Sequence, residues 1–421
     1  MPHPLRALLF LLPWPAATAL AEVPGPRMAA HGNVRYEFRI ALAAGSEFTA
    51  AHGGTRDGAL TAMRHMLERA NAVLENDLGV HLTLAAGSEK LIITDPDGDP
   101  LRYGEPRTAA AMLIKGRLPA SSYDLGHALM GLDGGETDTG TVCSDALDAD
   151  YLATHKAAAW SGGADADGAL ANFLLVLGNQ LGAPFRDNRC SDCLSFDGKS
   201  IERVRAWLAS RGGRCAKKRL VTGMAPWIDP DSLAEPQLIP ARTPFWLDAR
   251  VEPGTDGRRL SFAWDDISFE PLVRAEAPRS TARREVVNAL PQSGRDLDFR
   301  LTVRDNAGKQ ATRASADTRL RVIDTGRAFA IEPIGTATAG APLGIRWDPA
   351  NTTQAPLSCH FLQATLSLDE GATWQTLADD VPNSGAAVVT LPDALADAAR
   401  LRLACDWRPF FAETPAPFPI R

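Results

Sequence analysis

The spacing of apolar residues changes several times along the chain, and each change marks an element. Val34, Tyr36, Phe38, Ile40 and Leu42 alternate with Arg35, Glu37, Arg39 and Ala41, the period-two pattern of a strand with one buried face. From about Asp57 to Leu78, Leu60, Met63, Leu67, Ala70 and Leu74 recur at three and four, which predicts an amphipathic helix ending near Gly79. Val80, Leu82 and Leu84 return to strand spacing, and Leu91 to Ile93 form a further short apolar run. Ala166 to Leu181 is almost wholly apolar and predicts a helix buried on most sides, closed by Gly182 and Pro184. A last helix, Ser200 to Ser210, places Ile201, Val204 and Leu208 on one face and stops at Gly212-Gly213. This mixed α/β region closes near Lys218.

Beyond it the stretches shorten. Phe299-Leu301-Val303, Leu320-Val322, Leu343-Ile345-Trp347 and Leu401-Leu403 alternate between breaks rich in Gly, Pro, Asp and Asn, the texture of antiparallel sandwiches. Asp305-Asn306-Ala307-Gly308 reads as a hairpin turn. The expected architecture is multidomain: an α/β domain over residues 22–218, a β-sandwich over 219–325 and a second over 326–421, both of immunoglobulin or fibronectin III type.

The first residues add a location. A short head with Arg6, an apolar run from Ala7 to Leu12 and the small-residue site Ala19-Leu20-Ala21 read as a signal peptide, residues 1–21, cut after Ala21. Pro13 and Pro15 interrupt a run already too short to span a bilayer, so a secreted or periplasmic protein without membrane insertion is expected. Six cysteines fit an oxidising compartment in which all are paired. Cys143, Cys190, Cys193 and Cys215 fall in the first region and Cys359 with Cys405 in the last, so crosslinks should stay within domains.

The formal charge of -7, with basic residues scattered, excludes a nucleic-acid footprint. No Gly-rich phosphate loop and no G-x-S-x-G elbow occur, which removes nucleotide binding and serine-hydrolase chemistry. Asp95-Pro-Asp97-Gly-Asp99 lacks the glutamate of an EF-hand loop and reads as an acidic turn. Ser367-x-Asp369-x-Gly371-x-Thr373-Trp374 is a single Asp box, a structural hairpin turn. Cys190-x-x-Cys193 has neither a second pair at zinc-finger spacing nor a thioredoxin-like strand before it.

The apolar helix carries the one chemical motif, and carries it degraded. Zinc proteases of the metzincin class use H-E-x-x-H-x-x-G-x-x-H, because two histidines four apart share a helix face and the glycine turns the chain to bring in a third. On that template Leu175 and Asn179 stand at the helix ligand positions, Val176 at the general base, Gly182 at the turn and Phe185 at the third ligand. Hydrocarbon has no donor atom, and an asparagine amide is a poor ligand for zinc.

The wider chain resembles the bacterial reprolysin-like metallopeptidases, secreted metzincins with trailing β domains. RYEFRIALAAGSEFTAAHGGT, RANAVLENDLGVHLTL, SSYDLGHALMG with GTVCS, and SIERVRAWL are similar to blocks of that peptidase domain in the same order. IPARTPFWL, LDFRLTVRDNAG, LSLDEGATWQTLADDVPNSG and FFAETPAPFPIR are similar to its C-terminal modules. The resemblance implies a zincin fold and, in the family, a zinc cofactor; no cofactor is expected here, since ligands and base are replaced. The loop of the family's methionine turn is absent: after Asn188 the chain runs through RCSDC into the closing helix, and Met224 matches the family's linker instead. The resemblance further implies that Cys190 and Cys193, the two ends of that lost loop, form a short bridge, leaving Cys143 and Cys215 as the larger staple.

The remaining histidines, His31, His52, His65, His81, His127, His155 and His360, form no ligand pair at helical spacing, and His127 falls at a position that is structural in the family. The expected function is therefore a pseudoprotease, a module that binds a polypeptide or surface partner. The alternatives are a working zinc metallopeptidase with ligands from elsewhere, tested at His127 and His155, and a folded spacer that leaves adhesion to the sandwiches.

Overall fold

In the computed structural model the described residues are 28–31, 34–146, 155–183, 194–233, 237–254 and 259–421. The signal segment, Phe185, Cys190 and Cys193 lie outside them. In chain order the described elements up to residue 220 are β1 (Met28–His31), β2 (Val34–Ala44), α1 (Ser46–Ala51), α2 (Arg56–Leu78), β3 (Val80–Leu84), α3 (Pro106–Arg117), β4 (Leu125–Leu129), β5 (Gly134–Thr137), β6 (Ala159–Gly162), α4 (Ala166–Gln180), α5 (Gly198–Trp207) and β7 (Lys217–Leu220), of which β2 to β7 make the first region.

The alternating run at the start becomes the inner strand of a six-stranded sheet ordered β3-β2-β4-β6-β5, with β7 beside the beginning of β2. β3, β2, β4 and β6 are parallel and β5 is antiparallel. Phe38, Ile40 and Leu42 point to the face covered by α2 and α4, against Met63, Leu67, Leu74, Phe173 and Leu177. Ala41 and Ala43 point to the other face, where α3 brings Ala110 and Ile114. Fully buried aliphatic side chains of this kind each stabilise the fold by about 1.5–3 kcal/mol. α2 is closed by Gly79 in the left-handed conformation, φ 64°, whose N–H bonds back to the last turn.

The chain beyond β7 is all β. Its first layer holds Ser261–Asp266, Arg295–Arg304 and Arg313–Ile323, with Gln237–Pro240 and β1 both along the edge of Arg313–Ile323. The N-terminal strand thus serves the sheet of the second region before the chain enters the first. The last region has a three-stranded sheet, Ala330–Ile331, Pro342–Asp348 and Ala386–Thr390, facing a five-stranded one centred on Phe361–Ser367 and Ala396–Cys405. The Asp box is the turn between Phe361–Ser367 and Gln375–Pro382, with Asp369 accepting from Thr373 and Ser367. Disulfides join Cys143 to Cys215 and Cys359 to Cys405.

The two joints between regions differ. One continuous apolar cluster runs from Ile228 through Phe245, Phe299 and Phe410 to Ile420, so the β regions share a core. The α/β region instead docks through charge: Arg304 pairs with Asp77 at the end of α2, both nearly inaccessible, and Arg304 also donates to the Phe196 carbonyl at 2.9 Å. Arg313 donates to the Asp77 carbonyl at 2.8 Å. Asp265 accepts the Gly198 N–H at 2.7 Å.

Candidate functional site

α4 carries Leu175, Val176 and Asn179, the helical positions that the sequence aligns with the zinc motif. Asp165 caps the helix, accepting the N–H groups of Asp167 and Gly168 at 3.1 and 2.7 Å. Leu170, Phe173, Leu174 and Leu177 pin it to the sheet. In the second half, Leu175 is half-buried and Val176 is fully enclosed against Gly135 of β5, where a Cβ would meet the valine methyl at 2.7 Å. Asn179 is buried, and its carbonyl accepts from Gly140 at 2.8 Å and Gly182 at 2.9 Å. Its Oδ1 has no partner among the described residues. Gly182 has φ 108°, and a Cβ there would lie 2.6 Å from the Trp207 ring. Only glycine fits both the backbone and that contact.

Two hydrocarbons and a carboxamide at these positions do not fit a zinc ion, which takes imidazole, thiolate or carboxylate donors. Among the described residues no group of three His, Cys, Asp or Glu side chains is arranged to hold a metal ion. No step of metal-assisted hydrolysis can be derived from the side chains at Leu175, Val176 and Asn179.

The histidines scatter. His127, on β4, is wholly buried beneath α4, edge-on to Phe173 at 4.8 Å with Nε2 2.8 Å from Ser161 Oγ. Burial holds its pKa down to about 3, so the ring is neutral. Gln180 donates beside it to the carbonyls of Gly126 and Lys156. His155 is also buried, with Nδ1 accepting the Ala157 N–H at 3.1 Å; burial, then Lys115, lowers its pKa to about 4. His81 contacts Glu75 at 2.7 Å. His52 and His65 line one cleft together, which their positions in the sequence did not suggest.

That cleft, about 860 Å3, opens at the other end of α4. Its walls come from α1 and the first half of α2, from Leu129–Gly131 at the end of β4, and from Ser161–Asp165 at the end of β6. Phe48, Met66 and Met130 make its apolar surface; Glu47, Arg69 and Asp165 bring charge.

Residues 35–184 match the metallo-peptidase family M12B reprolysin-like profile, a span that runs from β2 through α4 and Gly182. Among curated proteins none matches the chain. Of the solved structures that are similar, the N-terminal four Ig domains of Dscam1 isoform 1.9 align with 49% of this chain at 12% identity and a TM-score of 0.16. That alignment spans about half of the other structure, 51%.

Proposed function

Residues 35–184 form a reprolysin-like domain, and we propose that in this chain the domain has lost peptide hydrolysis and kept polypeptide recognition. The observation that carries this reading is the packing of Val176. A general base must meet the water it activates, whereas Val176 has no exposed surface and no proton acceptor. Loss of the base alone typically costs about 10² to 10⁴ in rate, and loss of the metal removes the activated water as well.

What the domain retains is an edge. β5 is the terminal strand of the sheet, paired on one side with β6, and it runs beside the motif end of α4. Arg107 of α3 approaches Glu136 at 3.6 Å and Asp138 at 3.1 Å and steadies the strand. An extended polypeptide adds to such an edge through main-chain hydrogen bonds. The partner in this reading is a polypeptide, free or displayed on a surface, met after export. The two disulfides support an oxidising compartment. The division into domains near residues 218 and 325 belongs to the same reading.

Casein, unfolded and unselective, tests it. Residues 22–421 are expected to retain casein on a column without cutting it, with or without chelator. Chelator-sensitive fragments would overturn the proposal.

A further inference from the structure

The sheet has a topological switch point. From β2 the chain crosses through α2 to β3 on one side; it then crosses through α3 to β4 on the other side of β2, with the two helices on opposite faces. The segments leaving the carboxyl ends of β2 and β4 therefore diverge, and in open α/β sheets ligands bind in the crevice this creates. Here the crevice is the cleft at the start of α4. Its volume of about 860 Å3 is that of a small-molecule site. From Ala166 to Asn179 the helix runs about 20 Å at ~1.5 Å per residue, so the cleft is separate from the degraded motif.

We propose that this cleft binds a small organic cation, a protonated amine on an aromatic or branched aliphatic body. Phe48, Met66, Leu129 and Met130 provide the apolar walls for the body. The charge of the lining favours the ammonium through Glu47: Asp165 is taken up by the N–H groups at the start of α4, and Arg69 is already held by Asp167 at 2.6 Å. The cation paired with Glu47 is Arg102, at a loose 3.8 Å. Glu47 lies across Gly131, where a Cβ would come within 2.7 Å of the Glu47 Cβ, so the loop after β4 needs a glycine for the carboxylate to reach this position. His52 adds direction. Its Nδ1 lies 2.8 Å from the Phe48 carbonyl, which can only accept; Nδ1 is therefore the donor in that bond, and in the tautomer protonated there alone Nε2 is an acceptor.

Calorimetry with three amines, tryptamine, phenethylamine and isopentylamine, each against the carboxylate of matching body, tests the site on residues 22–421. The amines are expected to bind saturably with a Kd in the millimolar range or tighter, and the carboxylates at least about tenfold more weakly. Glu47→Gln is expected to weaken the amines about tenfold. Ala62→Trp, which fills the cleft from α2, is expected to abolish binding with the circular dichroism unchanged. No saturable binding by any amine, carboxylates binding as tightly, or affinities untouched in both variants would overturn the proposal. The casein result has no bearing on these outcomes, so the two readings fail separately.

Discussion

The two ends of α4 have been treated in opposite ways. At its start, a capping aspartate, an ion pair between Arg69 and Asp167 and a cleft keep the helix in contact with solvent and charge. At its finish, where the family that the domain matches places metal ligands, Val176 and Leu177 are fully buried, Leu175 is half-buried and Trp207 closes over Gly182. Aliphatic packing of this kind can hold the end of a helix without any coordinated ion, although Asn179 is buried there with its Oδ1 unpartnered among the described residues. Apolar burial worth about 1.5–3 kcal/mol per side chain needs no partner atom, whereas a polar group left there without its ion would destabilise the fold.

The sharpest way to break this contrast is Val176→Glu, which returns the base of the family motif to a site with no exposed surface. An uncompensated buried carboxylate should lower unfolding free energy on the order of 5 kcal/mol, read from urea unfolding. Asp265 supplies the counter-case, a carboxylate this chain does bury, with Gly198 donating to it. Burial first, and then the charge of Asp197, raise its pKa from 3.8 to about 6, against the opposing pull of Arg304 and Arg284. A folded-state pKa above the unfolded one means that the protonated form stabilises the fold. That contribution, on the order of 3 kcal/mol, is complete below the unfolded value of 3.8 and is lost as pH rises through about 6. Asp265→Asn keeps an acceptor for Gly198 and should flatten the stability profile across this window, as followed by unfolding midpoints.

Gly182→Ala combines a φ of 108° with a collision against Trp207, and about 2 kcal/mol of destabilisation is expected in the same assay. Leu175→His, at the half-buried position, should change stability by less than about 1 kcal/mol. The variant should still take up no zinc in equilibrium dialysis, since one imidazole does not make a site.

Much of the first region was legible from residue order because its elements bury one face. β2, α2 and β3 follow their period-two and three-four spacings closely, and α4 ends at the glycine that had marked it. α5 starts two residues earlier than its apolar spacing suggests, at Gly198 behind the capping Asp197, and continues from Trp207 into a wider turn over Leu208–Gly212. β4 and β6 escaped notice for a physical reason: every residue of both is buried, so neither shows alternation. α3 was hidden by its run of alanines, whose small side chains give little contrast between faces. The motif positions are proposed only by laying the helix on the template of a family that the wider chain resembles, and their enclosure by Gly135 and Trp207 depends on β5 and α5, which approach from elsewhere in the chain. The cleft was still less visible, being assembled from three segments that meet only once the parallel strands align. The joint at Asp77 and Arg304 brings together residues 227 positions apart, a pairing no local pattern encodes.

The most direct test of the central claim is the zinc content of folded residues 22–421 after dialysis against trace zinc. The account predicts far less than one zinc per chain. One tightly held zinc per chain, removed only by a chelator, would contradict it.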